Sequence, residues 1–115
     1  MPPDNCPFID IHHTTRILGV TVEFYKKILN RFAAARDEYL LPMMRYAEEG
    51  KYCELATAAH KLKGAAAYLN IEEIKNMAIE METLARKNQP ADYMQIINKI
   101  FAVFNGIAAM KELQE

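Results

Sequence analysis

The apolar residues of this chain recur mostly three or four positions apart, which is the spacing of an amphipathic helix. No segment alternates apolar and polar residues in the way a half-buried strand would. The spacing predicts one short helix and then four long ones, at 10–18, 22–49, 51–69, 72–87 and 91–112. Because only a few residues separate the long helices, they must pack as antiparallel neighbours. The predicted fold is therefore all-α: an antiparallel up-down-up-down four-helix bundle with a short extra N-terminal helix.

Local signals place the ends of several helices. Asp10 and Thr21 are suited to N-cap positions, because their side-chain oxygens can accept a bond from the first turn of the helix. Gly19 and Asn70 are suited to the left-handed position that follows a helix. These four residues place helix ends at the same points of the chain as the apolar spacing does.

The 22–49 helix contains a proline. Pro42 lacks an N–H and crowds the carbonyl of Glu38, so we expect a kink or short break near 37–42. The same helix is expected to bury an apolar stripe, widened on one side by Tyr25 and Leu29. The stripe consists of Phe24, Ile28, Phe32 and Ala35.

The totals fit one small domain with a hydrophobic core. The chain has 115 residues, of which 51% are hydrophobic and 25% charged. Residues 1–8 carry three of the five prolines and are predicted to form an irregular lead-in to a single domain at 9–115. The net charge of -1, from 14 basic and 15 acidic residues, argues against a nucleic-acid-binding protein.

Nothing in the sequence indicates a membrane or secreted protein. No apolar run approaches the 18 residues of a membrane-spanning helix. The first residues have neither the basic end nor the apolar run of a secretory signal. Cys6 and Cys53 lack metal-type spacing; their number allows a disulfide, but free thiols are favoured. We expect a cytoplasmic protein.

The 51–69 helix carries the candidate chemistry. Leu62 lies about 200° around the helix from His60, and Leu55 and Leu69 also point away from it, so His60 should face water. Four residues, most of them small, are expected beside it on the exposed face: Ala56, Lys63, Gly64 and Ala67. A glycine inside a helix costs about 1 kcal/mol relative to alanine, so Gly64 needs a reason. Close approach of another surface to His60 would supply one.

The stretch Ala59-His60-Lys61-Leu62-Lys63-Gly64-Ala65-Ala66 resembles the signature of histidine-containing phosphotransfer (HPt) domains. Phe32, the turn at Gly50, Glu82 and the number of helices also fit that family. Two positions depart from it: Asn70 stands where glycine is usual, and Ala65 where serine is frequent. The resemblance extends over almost the whole chain, from about residue 9 to 113.

The resemblance implies a phosphoryl carrier of a multistep two-component phosphorelay, without kinase activity of its own. His60 would accept a phosphoryl group from the aspartyl phosphate of a response-regulator receiver domain and pass it to another receiver. Lys63 would be the charge partner of the phosphoryl group, and Gly64 the residue of close approach. The residues expected to dock the partner are Ala56, Lys61, Ala67 and Tyr68.

The implied partners are receiver domains and a hybrid sensor histidine kinase. We expect a monomer with no cofactor or metal of its own, since in the family Mg²⁺ belongs to the receiver. Phosphoryl transfer depends chiefly on positioning and charge neutralisation, which a small helical protein can provide.

Other interpretations stay open. The chain could be a non-catalytic helical-bundle interaction module that docks receiver or kinase partners without phosphotransfer. A metal-binding bundle or a dimeric kinase-type bundle is disfavoured, because no nucleotide-binding glycine motif or paired ligand spacing is present. His12 and His13 point about 100° apart on a helix and would chelate poorly. Tyr68 could either dock a partner or only cover the flank of the bundle.

Overall fold

The computed structural model describes residues 10–110, which form helices and turns without any strand. The helices run in chain order as α1 (Ile11–Leu18), α2 (Val22–Ala34), α3 (Arg36–Glu48), α4 (Tyr52–Tyr68), α5 (Glu72–Arg86) and α6 (Tyr93–Ala108). The lead-in predicted for 1–8, the thiol of Cys6 and the last two residues of the predicted 91–112 helix lie outside the described residues. No helix in the described part of the chain is long and apolar enough to cross a bilayer.

The predicted caps are confirmed. The Asp10 carboxylate accepts a hydrogen bond of 3.0 Å from the backbone N–H of His13, at the start of α1. The Thr21 hydroxyl accepts one of 3.1 Å from the N–H of Phe24, at the start of α2. Gly19 and Asn70 both have positive φ, 69° and 59°, and follow the ends of α1 and α4. The termini of these helices are therefore set by local sequence.

The break in the 22–49 helix lies at Ala35, so the expectation of a break near 37–42 is wrong. Ala35 donates its N–H to two carbonyls, those of Arg31 and Phe32, both at 3.1 Å. The Arg36 guanidinium donates a further bond of 3.1 Å to the carbonyl of Ala33. Pro42 lies inside α3 as its seventh residue. The helix tolerates it there because Glu38, whose carbonyl loses its usual donor, lies on the exposed side where water can replace that bond.

The buried stripe of α2 is rotated by about one residue from the predicted one. Its buried residues are Tyr25, Leu29, Phe32 and Ala33, whereas Phe24 is 46% exposed. The Tyr25 hydroxyl donates a 2.6 Å hydrogen bond to the carbonyl of Leu69 at the end of α4. Burial raises the pKa of Tyr25 to about 12, so the phenol stays protonated and keeps donating. This bond fixes α2 against the end of α4 and leaves Phe24 at the surface.

The helices close around a common core. α3 packs against α4 and α6, and α5 packs against the same two helices. α4 and α5 form the most extensive pair, and both bury alanines with at most 3% exposure: Ala56, Ala59, Ala66, Ala78 and Ala85. Such small side chains allow two helix axes to approach closely. The close pairing of α4 with α5 positions the functional site.

Candidate functional site

His60 lies on the outer face of α4, as its periodicity predicts. Its side chain is 58% exposed, while Leu55 and Leu62 are completely buried and Leu69 is 4% exposed. The leucines fix the rotation of α4 because together they fill the core side of the helix. One turn of the neighbouring helix α5 then lies beside the imidazole.

A buried carboxylate on α5 contacts the imidazole. Glu82 Oε2 lies 3.0 Å from His60 Nδ1, and the whole Glu82 residue is only 8% exposed. Two cations hold the same carboxylate. Lys63 Nζ lies 3.2 Å from Oε1, and Arg86 donates to Oε2 from Nε at 2.9 Å and from Nη2 at 2.7 Å. We call His60, Lys63, Glu82 and Arg86 the Glu82 cluster.

The electrostatics of the cluster keep Glu82 ionised. Burial alone would raise its pKa, but the hydrogen bonds from Arg86, Lys63 and His60 outweigh burial and lower the pKa below its ordinary value. An ionised carboxylate can only accept hydrogen bonds, so Nδ1 of His60 must carry the hydrogen of their contact. In the neutral ring the lone pair is then on Nε2, the nitrogen that Glu82 does not contact. That nitrogen belongs to a side chain that is 58% exposed.

Packing within residues 10–110 does not require a glycine at Gly64. It is exposed in the interior of α4 and its φ is not positive. Apart from the adjacent backbone of α4, a Cβ placed on it would meet no atom of the described residues within 4 Å. Empty space beside His60 is what the close approach of another surface would need. The glycine leaves that space open at a cost to the helix.

Three of the four predicted docking residues are exposed, and the fourth is buried. Lys61 and Ala67 are exposed, and Tyr68 is 65% exposed. Ala56, by contrast, is 2% exposed, so the expectation that it lies on the exposed face beside His60 is wrong. Ala56 is on the side of α4 that turns toward α5, where it lines a cleft with Ala85 and Arg86.

An apolar groove adjoins the exposed end of α4. It has a volume of about 250 Å³ and lies between α4 and the α1–α2 region. Its lining residues are Leu18, Val20, Phe24, Ile28, Ala67 and Tyr68. We call it the Phe24–Tyr68 groove. Since Ala67 lies two turns beyond His60, the groove continues the surface that carries the imidazole.

Sequence reasoning did not predict Arg86, and it noted Glu82 only as a fit to the family. Two signals were available. Glu82 interrupts the buried stripe of α5 beside Met81, and Arg86 follows it at i+4, where an acid and a base pair on a helix. Neither signal shows that the pair reaches His60, because that contact joins two helices. Within residues 10–110, no group of three or more His, Cys, Asp or Glu side chains could hold a metal ion.

Comparison with known proteins identifies the family. The model of the Hpt domain matches residues 16–114, which is almost the whole chain. No significant match was found among curated proteins or among solved structures. The match includes all of the Glu82 cluster and the whole of α2 to α6. The chain therefore belongs to the Hpt domain family, whose members carry phosphoryl groups on histidine in phosphorelays.

Proposed function

We propose that this chain is a phosphorelay carrier in which His60 Nε2 accepts a phosphoryl group from the aspartyl phosphate of one receiver domain and passes it to another. Hpt domains exchange phosphoryl groups with receivers and kinases and have no kinase activity of their own. The observation that carries the proposal is the exposed imidazole whose Nδ1 lies 3.0 Å from a buried carboxylate. That contact directs the lone pair of Nε2 outward.

The transfer step needs no general base. The Nε2 lone pair attacks phosphorus, the bond from phosphorus to the aspartate oxygen breaks, and the aspartate leaves as a carboxylate. Because Nε2 carries no hydrogen, no proton has to be removed. The ring retains the Nδ1 hydrogen and becomes cationic, and Glu82 stabilises that charge. The reverse step, with a second receiver, uses the same geometry.

Lys63 is the proposed charge partner of the phosphoryl group. It is three residues from His60 on α4, and its side chain is 31% exposed. Its ammonium is a mobile point charge that can move from Glu82 to a phosphoryl oxygen. Mg²⁺ and the acidic pocket are expected on the partner receiver, so this chain needs to supply only the nucleophile and nearby positive charge.

The proposed docking face contains His60, Gly64 and Lys61 and extends into the Phe24–Tyr68 groove. An apolar groove beside a nucleophile allows a partner to bury surface while its reactive group reaches Nε2. In this proposal residues 9–115 form a single monomeric domain. Its helices run up-down-up-down, with α2 and α3 acting as one broken helix and α1 as the short additional one.

Transfer of label tests the proposal against an interaction module that only docks. The chain is incubated with a receiver carrying radiolabelled aspartyl phosphate, and the label on the chain is tested for lability in acid and stability in alkali. We expect such label on the wild type and on His13→Gln, a control histidine on the exposed side of α1. We expect none on His60→Gln. Transfer that survives in His60→Gln would refute the assignment.

A further inference from the structure

We propose that Arg86 is a positioning residue for the transfer: it holds Glu82 against His60 Nδ1 and thereby keeps Nε2 as the nucleophile. The inference rests on the proposed function and adds a role for a residue that the sequence did not indicate. Arg86 itself contacts Glu82 and acts on His60 only through that carboxylate.

Three nitrogens converge on one oxygen of Glu82. Glu82 Oε2 lies within hydrogen-bond distance of three nitrogens: His60 Nδ1 at 3.0 Å, Arg86 Nε at 2.9 Å and Arg86 Nη2 at 2.7 Å. Both donors of the rigid guanidinium edge therefore point at the oxygen that faces the imidazole. The ion pair of Lys63 is with the other oxygen, Oε1, at 3.2 Å. Removing Arg86 would take away two of the three neighbours that fix Oε2.

Arg86 and Glu82 belong to the same helix, α5, and not to the helix that carries His60. Arg86 follows Glu82 by one turn of α5, so the two side chains belong to one rigid element. His60 and Lys63 both belong to α4. Without Arg86, Glu82 would be held only by residues of the helix that carries the nucleophile. Arg86 therefore supplies an orientation for Glu82 that does not depend on any movement of Lys63.

The incoming phosphoryl group brings negative charge to the Glu82 cluster. Glu82, Lys63 and Arg86 have a formal sum of +1, and a buried carboxylate without a cation is unfavourable. If Lys63 turns to the incoming phosphoryl group, Arg86 still neutralises Glu82. The Nδ1 contact then persists while the ring becomes cationic. With Lys63 alone, the carboxylate and the phosphoryl group would compete for one ammonium.

The test compares Arg86→Met with Arg86→Lys, which keeps the charge but loses the two-donor edge. The control is Lys75→Met, which removes a different cation of α5, one paired with Glu72 at 2.9 Å. The first readout is the tautomer of His60 in the unphosphorylated protein, from long-range ¹H–¹⁵N correlation spectra. The second is the rate of transfer from a phosphorylated receiver. Circular dichroism checks that each variant is folded, which is expected because the Arg86 side chain is 58% exposed.

We expect wild type and Lys75→Met to show His60 with hydrogen on Nδ1 and to transfer at equal rates. Arg86→Met should show a mixture of tautomers and transfer about tenfold or more slowly, which is the lower end of the loss seen when a residue that orients a metal-bound histidine is removed. Arg86→Lys should restore part of the Nδ1–H tautomer and part of the transfer rate. A wild-type tautomer in Arg86→Met would overturn the proposal, and so would a shifted tautomer with an unchanged rate. If the wild type accepts no phosphoryl group at all, the proposed function fails, and the tautomer alone decides whether Arg86 positions the ring.

Discussion

Gly64 offers a test in which stability and function should change in opposite directions. It lies in the interior of α4 with ordinary helical φ, and apart from the adjacent helix backbone an added Cβ would meet no atom of residues 10–110 within 4 Å. Gly64→Ala therefore adds no clash and removes the entropy cost of glycine. We expect the free energy of unfolding to rise by about 0.5–1 kcal/mol, with an unchanged denaturant slope. Urea denaturation followed by circular dichroism measures both.

Gly50→Ala is the matched control. Gly50 also has open space around its Cβ position, but its φ is +69°, which costs an L side chain about 1 kcal/mol. Gly50→Ala should therefore destabilise the protein while Gly64→Ala stabilises it. If Gly64→Ala were destabilising, the glycine would have a structural role, and the argument for close approach would lose its basis.

The functional half of the test uses Gly64→Leu and two phosphoryl donors, a phosphorylated receiver and phosphoramidate. A side chain at 64 lies about 5–6 Å from that of His60 on the helix surface, so Gly64→Leu should hold a docked receiver away from Nε2. A displacement near 1 Å lowers the rate by on the order of 100-fold. Phosphoramidate is small and should still phosphorylate His60 at nearly the wild-type rate. An equal loss with both donors would show that Gly64→Leu damages the nucleophile instead of blocking a partner.

Three further predictions follow from other contacts. Tyr25→Phe removes the 2.6 Å hydrogen bond to the Leu69 carbonyl and should lower the free energy of unfolding, measured by urea denaturation, by about 1–2 kcal/mol. An unchanged free energy would mean that this bond does not hold α2 to α4. The lowered pKa of Glu82 means that its ion pairs contribute stability above the ordinary pKa of 4.5, and that this contribution is lost as pH falls through the folded-state pKa. Urea midpoints from pH 7 to about pH 3 should therefore fall more steeply for wild type than for Glu82→Gln, and parallel curves would contradict the role given to Glu82. Phe24→Ser should raise the KM for a phosphorylated receiver and leave phosphoramidate labelling unchanged. The control Ile17→Ser, which alters another exposed apolar side chain, should change neither quantity. Equal effects of the two variants on KM would show that the groove is not part of the docking face.

The features that the sequence predicted well are the local ones. Asp10 and Thr21 cap their helices through hydrogen bonds with residues three positions further along the chain. Asn70 adopts the left-handed conformation directly after the end of its own helix. His60 faces outward because the leucines of the same helix face inward. Each of these outcomes depends on residues within a few turns of one another, which is the range over which periodicity and capping act.

The features that the sequence did not predict depend on neighbouring helices. Ala56 lies at the edge of the face that carries His60, and only the approach of α5 decides that it is covered. The same applies to Phe24, which a one-residue rotation of α2 brings to the surface. The contact of Glu82 with His60 joins residues 22 positions apart on different helices. A helical period describes each surface but does not show which part of it another helix will cover.

Localisation of the phosphoryl group tests the central claim most directly. The wild-type chain, phosphorylated by a receiver, is examined by mass spectrometry under alkaline conditions for the modified residue and by ¹H–¹⁵N spectra for the modified nitrogen. The account predicts a single phosphohistidine at His60, with phosphorus on Nε2 and hydrogen retained on Nδ1. A phosphoryl group on His12, on His13 or on Nδ1 of His60 would contradict it.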